Sequence, residues 1–322
     1  MRCLSKCHVA LRASALFLIL LIGATLGSAQ DVVRTADITA RGLNASEFPR
    51  IKKLADNVYS FEQLHPNWKT VTSNSLIVVT SDGVLVAEGQ GNPDHTTRLV
   101  EAIRKLTPQP IKYVVIGSEH GDHTGGNSAF PDTVTFIGHP TSKANLERQA
   151  ASPNRPPTAP KVVIPTELVS ERRTLKMGNT QIDILHPGRA HTGGDLIVSL
   201  PREKVLFMSE VFFNRLFPSM NSAYPSEWVE VLKKAEQMDV SLYVPAHGFV
   251  DSPVILKEEL INYRRALEAV IAEGRRLHTA KVSAEEAPKQ ANFGPYASWT
   301  RSAENAPGAL RRVYLELDGQ LK

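Results

Sequence analysis

The stretch Ser118-Glu119-His120-Gly121-Asp122-His123-Thr124-Gly125-Gly126-Asn127 constrains this chain more than any other. It follows the apolar run 111–116, which the pattern predicts to be a short buried strand. It leads into Thr124-Gly125-Gly126, where a helix can begin. Two imidazoles and a carboxylate therefore crowd one tight turn at the end of a strand. Neutral imidazole and carboxylate are good ligands for a borderline divalent ion such as Zn2+. Packing alone gives little reason for three such groups in four residues, because a buried polar group needs a partner. A solvated polar loop would account for them if they stood alone.

They do not stand alone. His191 lies in Gly188-Arg189-Ala190-His191-Thr192-Gly193-Gly194-Asp195, and His247 in Val244-Pro245-Ala246-His247-Gly248. Each follows an apolar segment and has glycine close by, which lets the backbone turn sharply. In this order, His120, Asp122, His123, His191 and His247 resemble the ligand series of the metallo-β-lactamase-fold hydrolase superfamily. That family carries His-x-His-x-Asp-His, then a His before Gly-Asp, an acidic residue after a strand, and a last His before Gly. The resemblance spans roughly residues 58–248. Gly83-Val84-Leu85-Val86 and Ser222-Ala223-Tyr224-Pro225-Ser226-Glu227-Trp228 make it similar to the periplasmic quinoprotein-relay-type zinc metallohydrolases. Two positions depart from the family pattern. Ser118 stands where the first histidine is expected, and Glu210, after Ser209, stands for the bridging aspartate.

The resemblance implies a four-layer αββα sandwich, an α/β (α+β) fold. It also implies two metal positions. One takes the first three histidines, here Ser118, His120 and His191. The other takes Asp122, His123 and His247. Catalytic zinc needs about three protein ligands plus water. The second position is complete and should hold Zn2+ firmly. The first should be weak unless Ser118, water or Glu210 completes it. The implied activity is hydrolysis by a zinc-bound hydroxide at an acyl bond of an ester, thioester, lactone or β-lactam. Asp122 would orient the nucleophile, and His191 or Tyr224 would stabilise the oxyanion. The alternative is a periplasmic metal-binding accessory protein with a degenerate first position and little turnover.

The rest of the chain frames this reading. Residues 1–29 have a secretory signal pattern: Arg2, Lys6 and Arg12, then the apolar run 13–26, then Gly27-Ser28-Ala29. The run is too short for a comfortable membrane span. Export predicts a periplasmic or secreted protein without stable membrane insertion. Removing the signal takes away three basic residues and no acidic ones, so the formal charge falls from +4 to +1. That balance argues against a nucleic-acid partner and for a small-molecule substrate. Cys3 and Cys7 both lie in the signal, so a mature chain has no disulfide and no thiolate ligand.

Four segments are expected: the signal at 1–29, an extended arm at 30–52, the metal-binding domain at 53–252, and a helical extension at 253–322. Strands are predicted at 58–63, 75–80, 84–87, 111–116, 134–137, 168–175, 180–185, 196–200, 205–208 and 241–244. Helices are predicted at 93–106, from 140 to about 151, at 226–238 with Ser226 as N-cap, and at 253–278. Residues 310–317 read as helix or strand. Two sheets packed together with helices outside fit this sequence of elements. His139 reads as structural, and His65 and His95 as surface or structural, with His65 at the pocket rim. Glu88 reads equally as a neighbour of the ligands or as a surface residue. The proline-rich stretch 152–160 reads as a loop bordering a cleft. The aromatic run 212–217 reads either as a substrate wall or as core cover.

Overall fold

The hairpin at Ser81-Asp82 shows how the body is built. It joins β3 (Thr72–Thr80) to β4 (Gly83–Ala87), and Thr80 pairs with Gly83 across the turn. Both strands are buried on both faces. Leu76 and Val78 face one core, while Ile77 and its neighbours Val84 and Val86 face another. A strand with two cores must lie between layers, which is why residues 76–79 and 84–87 are apolar throughout rather than alternating. The computed structural model describes residues 32–321. The expected signal at 1–29 lies outside them.

Among the described residues there are two sheets. The first orders β1 (Arg50–Ala55), β2 (Val58–Leu64), β3, β4, β5 (Ile111–Val115), β6 (Thr135–Gly138) and β7 (Glu167–Leu168) side by side. It is antiparallel from β1 to β4 and parallel from β4 to β7. The second orders β12 (Leu242–Val244), β11 (Val205–Phe207), β10 (Ile197–Leu200), β9 (Thr180–Leu185) and β8 (Arg172–Met177). Only β11 and β12 pair in parallel within it.

Leu99 and Ile103 of α1 (Pro93–Leu106) and Leu146 of α3 (Pro140–Ala150) cover the outer face of the first sheet. The other core joins both sheets to α4 (Pro225–Glu236), α5 (Pro253–Thr279) and α7 (Ser302–Leu317). The short helices α2 (Gly121–Thr124) and α6 (Ala287–Gln290) complete the set. The layers are thus helix, sheet, sheet, helix, as the sequence predicts. The described residues from 33 onward form one compact unit. Among the described residues no helix is long and apolar enough to cross a membrane.

Several expectations shift. The strand expected over 168–175 is two strands in different sheets: Val169 bonds back to Gly138, and the chain then crosses to β8. Ser226 does not cap α4. Tyr224 holds the N-cap position with Pro225 behind it, and Ser226 donates to Glu316 of α7 at 2.7 Å. Residues 310–317 resolve to helix, as the end of α7. Of the arm expected at 30–52, the described residues 32–52 are docked: Ala36 and Ile38 are buried, Arg41 clasps Asp251, and β1 begins at Arg50.

Candidate metal centre

The ligand-bearing loops all leave strand ends at one edge of the sandwich. β4 ends at Ala87 before Glu88, and its parallel neighbour β5 ends just before the 117–123 turn. In the second sheet, parallel β11 and β12 deliver Glu210 and His247. Carboxyl ends of parallel strands leave a crevice there, as in open α/β sheets generally. His120 sits at the N-cap of α2, and the single turn puts Asp122 and His123 on the inward side. Two glycines are needed at this edge. Gly248 has φ +82°, and a Cβ there would overlap the Asn214 carbonyl. A Cβ at Gly117 would strike both Glu88 and Ser209.

Two groups of donor atoms result: Asp122, His123, Glu210 and His247 in one, and His120, His191 and Glu210 in the other. In the first of these, the Nε2 atoms of His123 and His247 are 3.2 Å apart. Asp122 Oδ2 lies 3.1 Å from His123 Nε2 and 3.2 Å from His247 Nε2. Glu210 Oε1 lies 3.7 and 3.4 Å from the same two nitrogens. Four ligands about 2.0–2.1 Å from a zinc ion stand about 3.3 Å apart at tetrahedral angles. The observed edges fit that figure. In the other group Glu210 Oε2 is 2.9 Å from His120 Nδ1 and 3.1 Å from His191 Nδ1. Each Glu210 oxygen therefore faces one group, which is the bridging place.

His123 Nε2 and His247 Nε2 meet as a hydrogen-bonded pair, but not every donor atom is so placed. Asp122 Oδ2 and His191 Nδ1 are buried, yet neither has an aligned hydrogen bond. Orphaned buried donors and acceptors are costly, about 1–3 kcal/mol each. A cation at the shared focus would satisfy them together, so the donor set fits a metal. Ser118 reaches the same group through Glu210. Its hydroxyl donates a short hydrogen bond to Glu210 Oε2.

The surroundings fix the ligands. His247 Nδ1 meets the Thr72 carbonyl at 2.9 Å, which leaves Nε2 for the centre. Glu88 is fully buried, so the surface reading of it is wrong. Its Oε2 lies 3.8 Å from His123 Nδ1, while its Oε1 accepts the Ser209 hydroxyl. Phe213 is buried and sets its ring against His191 (5.3 Å) and His247 (5.1 Å), so the aromatic run backs the ligands and fills the core. Trp228 joins it on His191 at 5.3 Å.

His65 was legible only as a histidine on a loop, and its surface reading fails. It is 4% exposed and its Nε2 lies 3.3 Å from Asp122 Oδ2. Its Nδ1 accepts the backbone N–H groups of Asn67 (3.0 Å) and Trp68 (2.9 Å). Nδ1 is thus an acceptor, and the proton of the neutral ring sits on Nε2, facing Asp122. That tautomer cannot ligate a metal through Nε2. The ring is clamped by Trp68, stacked at 4.0 Å. His95 lies on α1, and His139 caps α3 by accepting the Thr141 N–H at 3.1 Å.

Charge is strongly coupled here. Burial opposes ionisation of Asp122, but neighbouring His123 outweighs it and holds the carboxyl well below its usual range. Glu210 is lowered likewise against burial by His191, His120 and His123. Burial favours neutral imidazole, but the carboxylates win, raising His120 to about 9 and His123 to about 10. Glu88 goes the other way: burial lifts it to about 7. Carboxylates that draw protons onto imidazoles will equally draw a divalent cation, which displaces those protons.

A family model described as the metallo-beta-lactamase superfamily matches residues 68–247. The chain belongs to the metallo-beta-lactamase superfamily. Among its relatives, the metallo-beta-lactamase type 2 of Bacillus sp. (strain 170) is 24% identical over 73% of this chain and 90% of its own length. The type 2 enzyme of Bacillus cereus is 24% identical over 65% of this chain and 80% of its own. The 2,4-dinitroanisole O-demethylase subunit alpha of Nocardioides sp. (strain JS1661) is 22% identical over 54% and 52%. The solved metallo-beta-lactamase from Pontibacter korlensis shares the fold, with a TM-score of 0.58 at 20% identity over 67% of this chain and 98% of that one.

Within this superfamily, which includes metal-dependent hydrolases, the chain brings its six predicted ligands into two adjoining groups. Tyr224 is placed differently from the rest. Its ring carries the Arg189 guanidinium at 4.1 Å and that of Arg312 at 5.4 Å, and it borders Gly193. It stands at the N-cap of α4, where its backbone N–H donates to the Ala190 carbonyl, one residue before His191, at 2.8 Å. The two donor groups open to solvent where His120 and Asp122 retain 31% and 15% side-chain exposure. On the Asp122 side a cavity of about 540 Å³ adjoins them. The expected 152–160 loop borders it, through Arg155 and Pro160.

Proposed function

We propose that this chain is an exported, metal-dependent hydrolase of an acyl bond in an ester, thioester, lactone or β-lactam. The observation that carries the reading is the pair of donor groups sharing Glu210, with spacings that suit a tetrahedral ion. Asp122, His123, His247 and Glu210 Oε1 would hold one Zn2+, and His120, His191 and Glu210 Oε2 a second, weaker one. When bound, zinc supplies a Lewis acid and lowers the pKa of water to near neutrality. The chain does the remainder. Asp122, held between His65, His123 and His247, would orient the nucleophilic water and relay its proton. Tyr224, which borders Gly193, and His191 would stabilise a developing oxyanion. Phe213 and Trp228 behind His191 keep that side dry.

The motifs at Gly83-Val84-Leu85-Val86 and before Trp228 support the periplasmic, quinoprotein-relay-type branch, and the pattern at 1–29 supports export. The partner would be a small-molecule substrate and not nucleic acid. The test is metal content per chain, followed by esterase, lactonase and β-lactam assays on the chain and on His123→Ala and His247→Ala. Full activity from a metal-free sample would end the proposal.

A second reading has one observation in its favour. Ser118 replaces a ligand and gives its proton to Glu210, so the His120 group has three donors, one of them shared. A metal-binding accessory protein with little turnover would look like this. Ser118→His separates the two: a gain of one metal together with a large gain in activity supports the accessory reading of the native chain.

A further inference from the structure

The cavity beside Asp122 is walled by two unlike surfaces. Asp122 and His65 form the inner wall, and the loop carrying Arg155, Lys161 and Val162 forms the outer one. Asp122 is the one carboxylate among the lining residues, and it is committed to the donor group. Arg155 and Lys161 have no carboxylate partner among the described residues. Arginines elsewhere are paired: Arg41 with Asp251, Arg215 with Glu259, Arg264 with Glu236. Arg155 gives one N–H to the Pro160 carbonyl of its own loop. That bond anchors the guanidinium at the wall and leaves its other N–H groups for a ligand. Between the two walls lies Trp68, held by His65 stacked at 4.0 Å and by the Arg301 guanidinium at 4.5 Å. A volume of about 540 Å³ is that of an ordinary small-molecule site.

We infer that this cavity takes an acyl substrate bearing a carboxylate at the end remote from the bond that is cleaved, held by Arg155 and Lys161. The inference rests on the hydrolase reading above and names the substrate class of that site. Two cations without a carboxylate partner line the same cavity as a ligand group that a divalent cation neutralises, and so select for an anion by complementarity. The carboxylate then sits at the 155–162 loop, where Arg155 and Lys161 are, and the acyl group at the donor groups. The apolar middle of the substrate then lies along Trp68 and Val162.

The experiment uses the metal-loaded chain and two probes that differ only in charge: 4-nitrophenyl hydrogen adipate and 4-nitrophenyl methyl adipate. The expected result is a kcat/KM ratio favouring the charged ester by roughly 10-fold at low salt and shrinking as ionic strength rises. Lys161→Gln and Arg155→Gln should each cut the ratio by roughly 3- to 10-fold, through KM. Lys161→Gln carries the most weight, because Arg155→Gln also removes the bond to Pro160. A ratio near one, or variants that slow both esters equally, overturns the inference. Calorimetric binding of the matching non-cleavable 4-nitroanilides separates the two proposals. If the charged anilide binds more tightly and Lys161→Gln abolishes the difference, the inference stands even where no ester is turned over, and only the hydrolase reading falls.

Discussion

His65 is the sharpest test of how the centre is held. It does two jobs through two nitrogens: Nδ1 ties down the turn at Asn67 and Trp68, and Nε2 faces Asp122 Oδ2 at 3.3 Å. An asparagine can keep the first job. Its side-chain oxygen accepts N–H groups two and three residues on, as in an Asx turn, but its amide stops short of Asp122. His65→Asn keeps those hydrogen bonds and loses only the ring stacked on Trp68, so it should cost about 1 kcal/mol of folding stability while weakening metal binding. Partners one step beyond the ligands are worth 10- to 100-fold in metal affinity. The His65–Asp122 contact is close but not aligned as a hydrogen bond, so the expected loss is at the low end, about 10-fold, or ~1.4 kcal/mol. His65→Ala should lose both. It orphans two backbone N–H groups at about 1–3 kcal/mol each, and removes the ring stacked on Trp68. The assays are a competitive zinc titration against a chromophoric chelator and a urea melt of the metal-free protein. If His65→Asn binds zinc as the wild type does, Asp122 is positioned by His123 and His247 alone.

Three further outcomes follow from the same geometry. Glu88→Gln, which removes the buried carboxylate beside His123, should weaken zinc by about 10-fold in the same competition assay; unchanged affinity would make Glu88 a purely structural group. Loading the stripped protein near pH 7 should release protons, because His120 and His123 are raised to about 9 and 10 by neighbouring carboxylates that outweigh burial; zinc at about 100 times its Kd should also raise the Tm by roughly 5 °C, and a pH-stat trace with no release would contradict the ionisation described. Burial, helped by neighbouring His186, lowers His139 to about 4. The unfolded chain binds that proton more readily, so this group's contribution is complete above about pH 6.5 and is lost as the pH falls toward 4. The metal-free Tm should drop over that window less steeply in His139→Gln than in the wild type.

How much of this was visible in the chain depends on the range of the interaction involved. Strands and helices are local, so α1 and β9 appear where periodicity and turn residues put them. The ligand set was legible because the histidines sit in three glycine-flanked turns, His120 and His123 sharing one, and because their order resembles a known series. What the sequence could not supply is decided across the sheets. Glu88 is buried because β4 ends beneath Ser209, which lies 121 residues further along the chain. His65 acquires its tautomer from a turn of its own loop, but its meaning from Asp122, which only the fold brings near. Glu210 illustrates the same limit. As a bare substitution for aspartate it leaves bridging, one-sided binding and withdrawal all open. The position of Ser118 resolves them. The hydroxyl that replaces the expected ligand donates to Oε2, the same oxygen that faces His120 and His191, and so turns Oε1 toward His123 and His247. The two departures from the family pattern are therefore coupled: a shorter donor at 118 and a longer carboxylate at 210 meet each other in space. Reverting one alone should disturb the other, so Ser118→His and Glu210→Asp, combined, should show metal affinities that do not add.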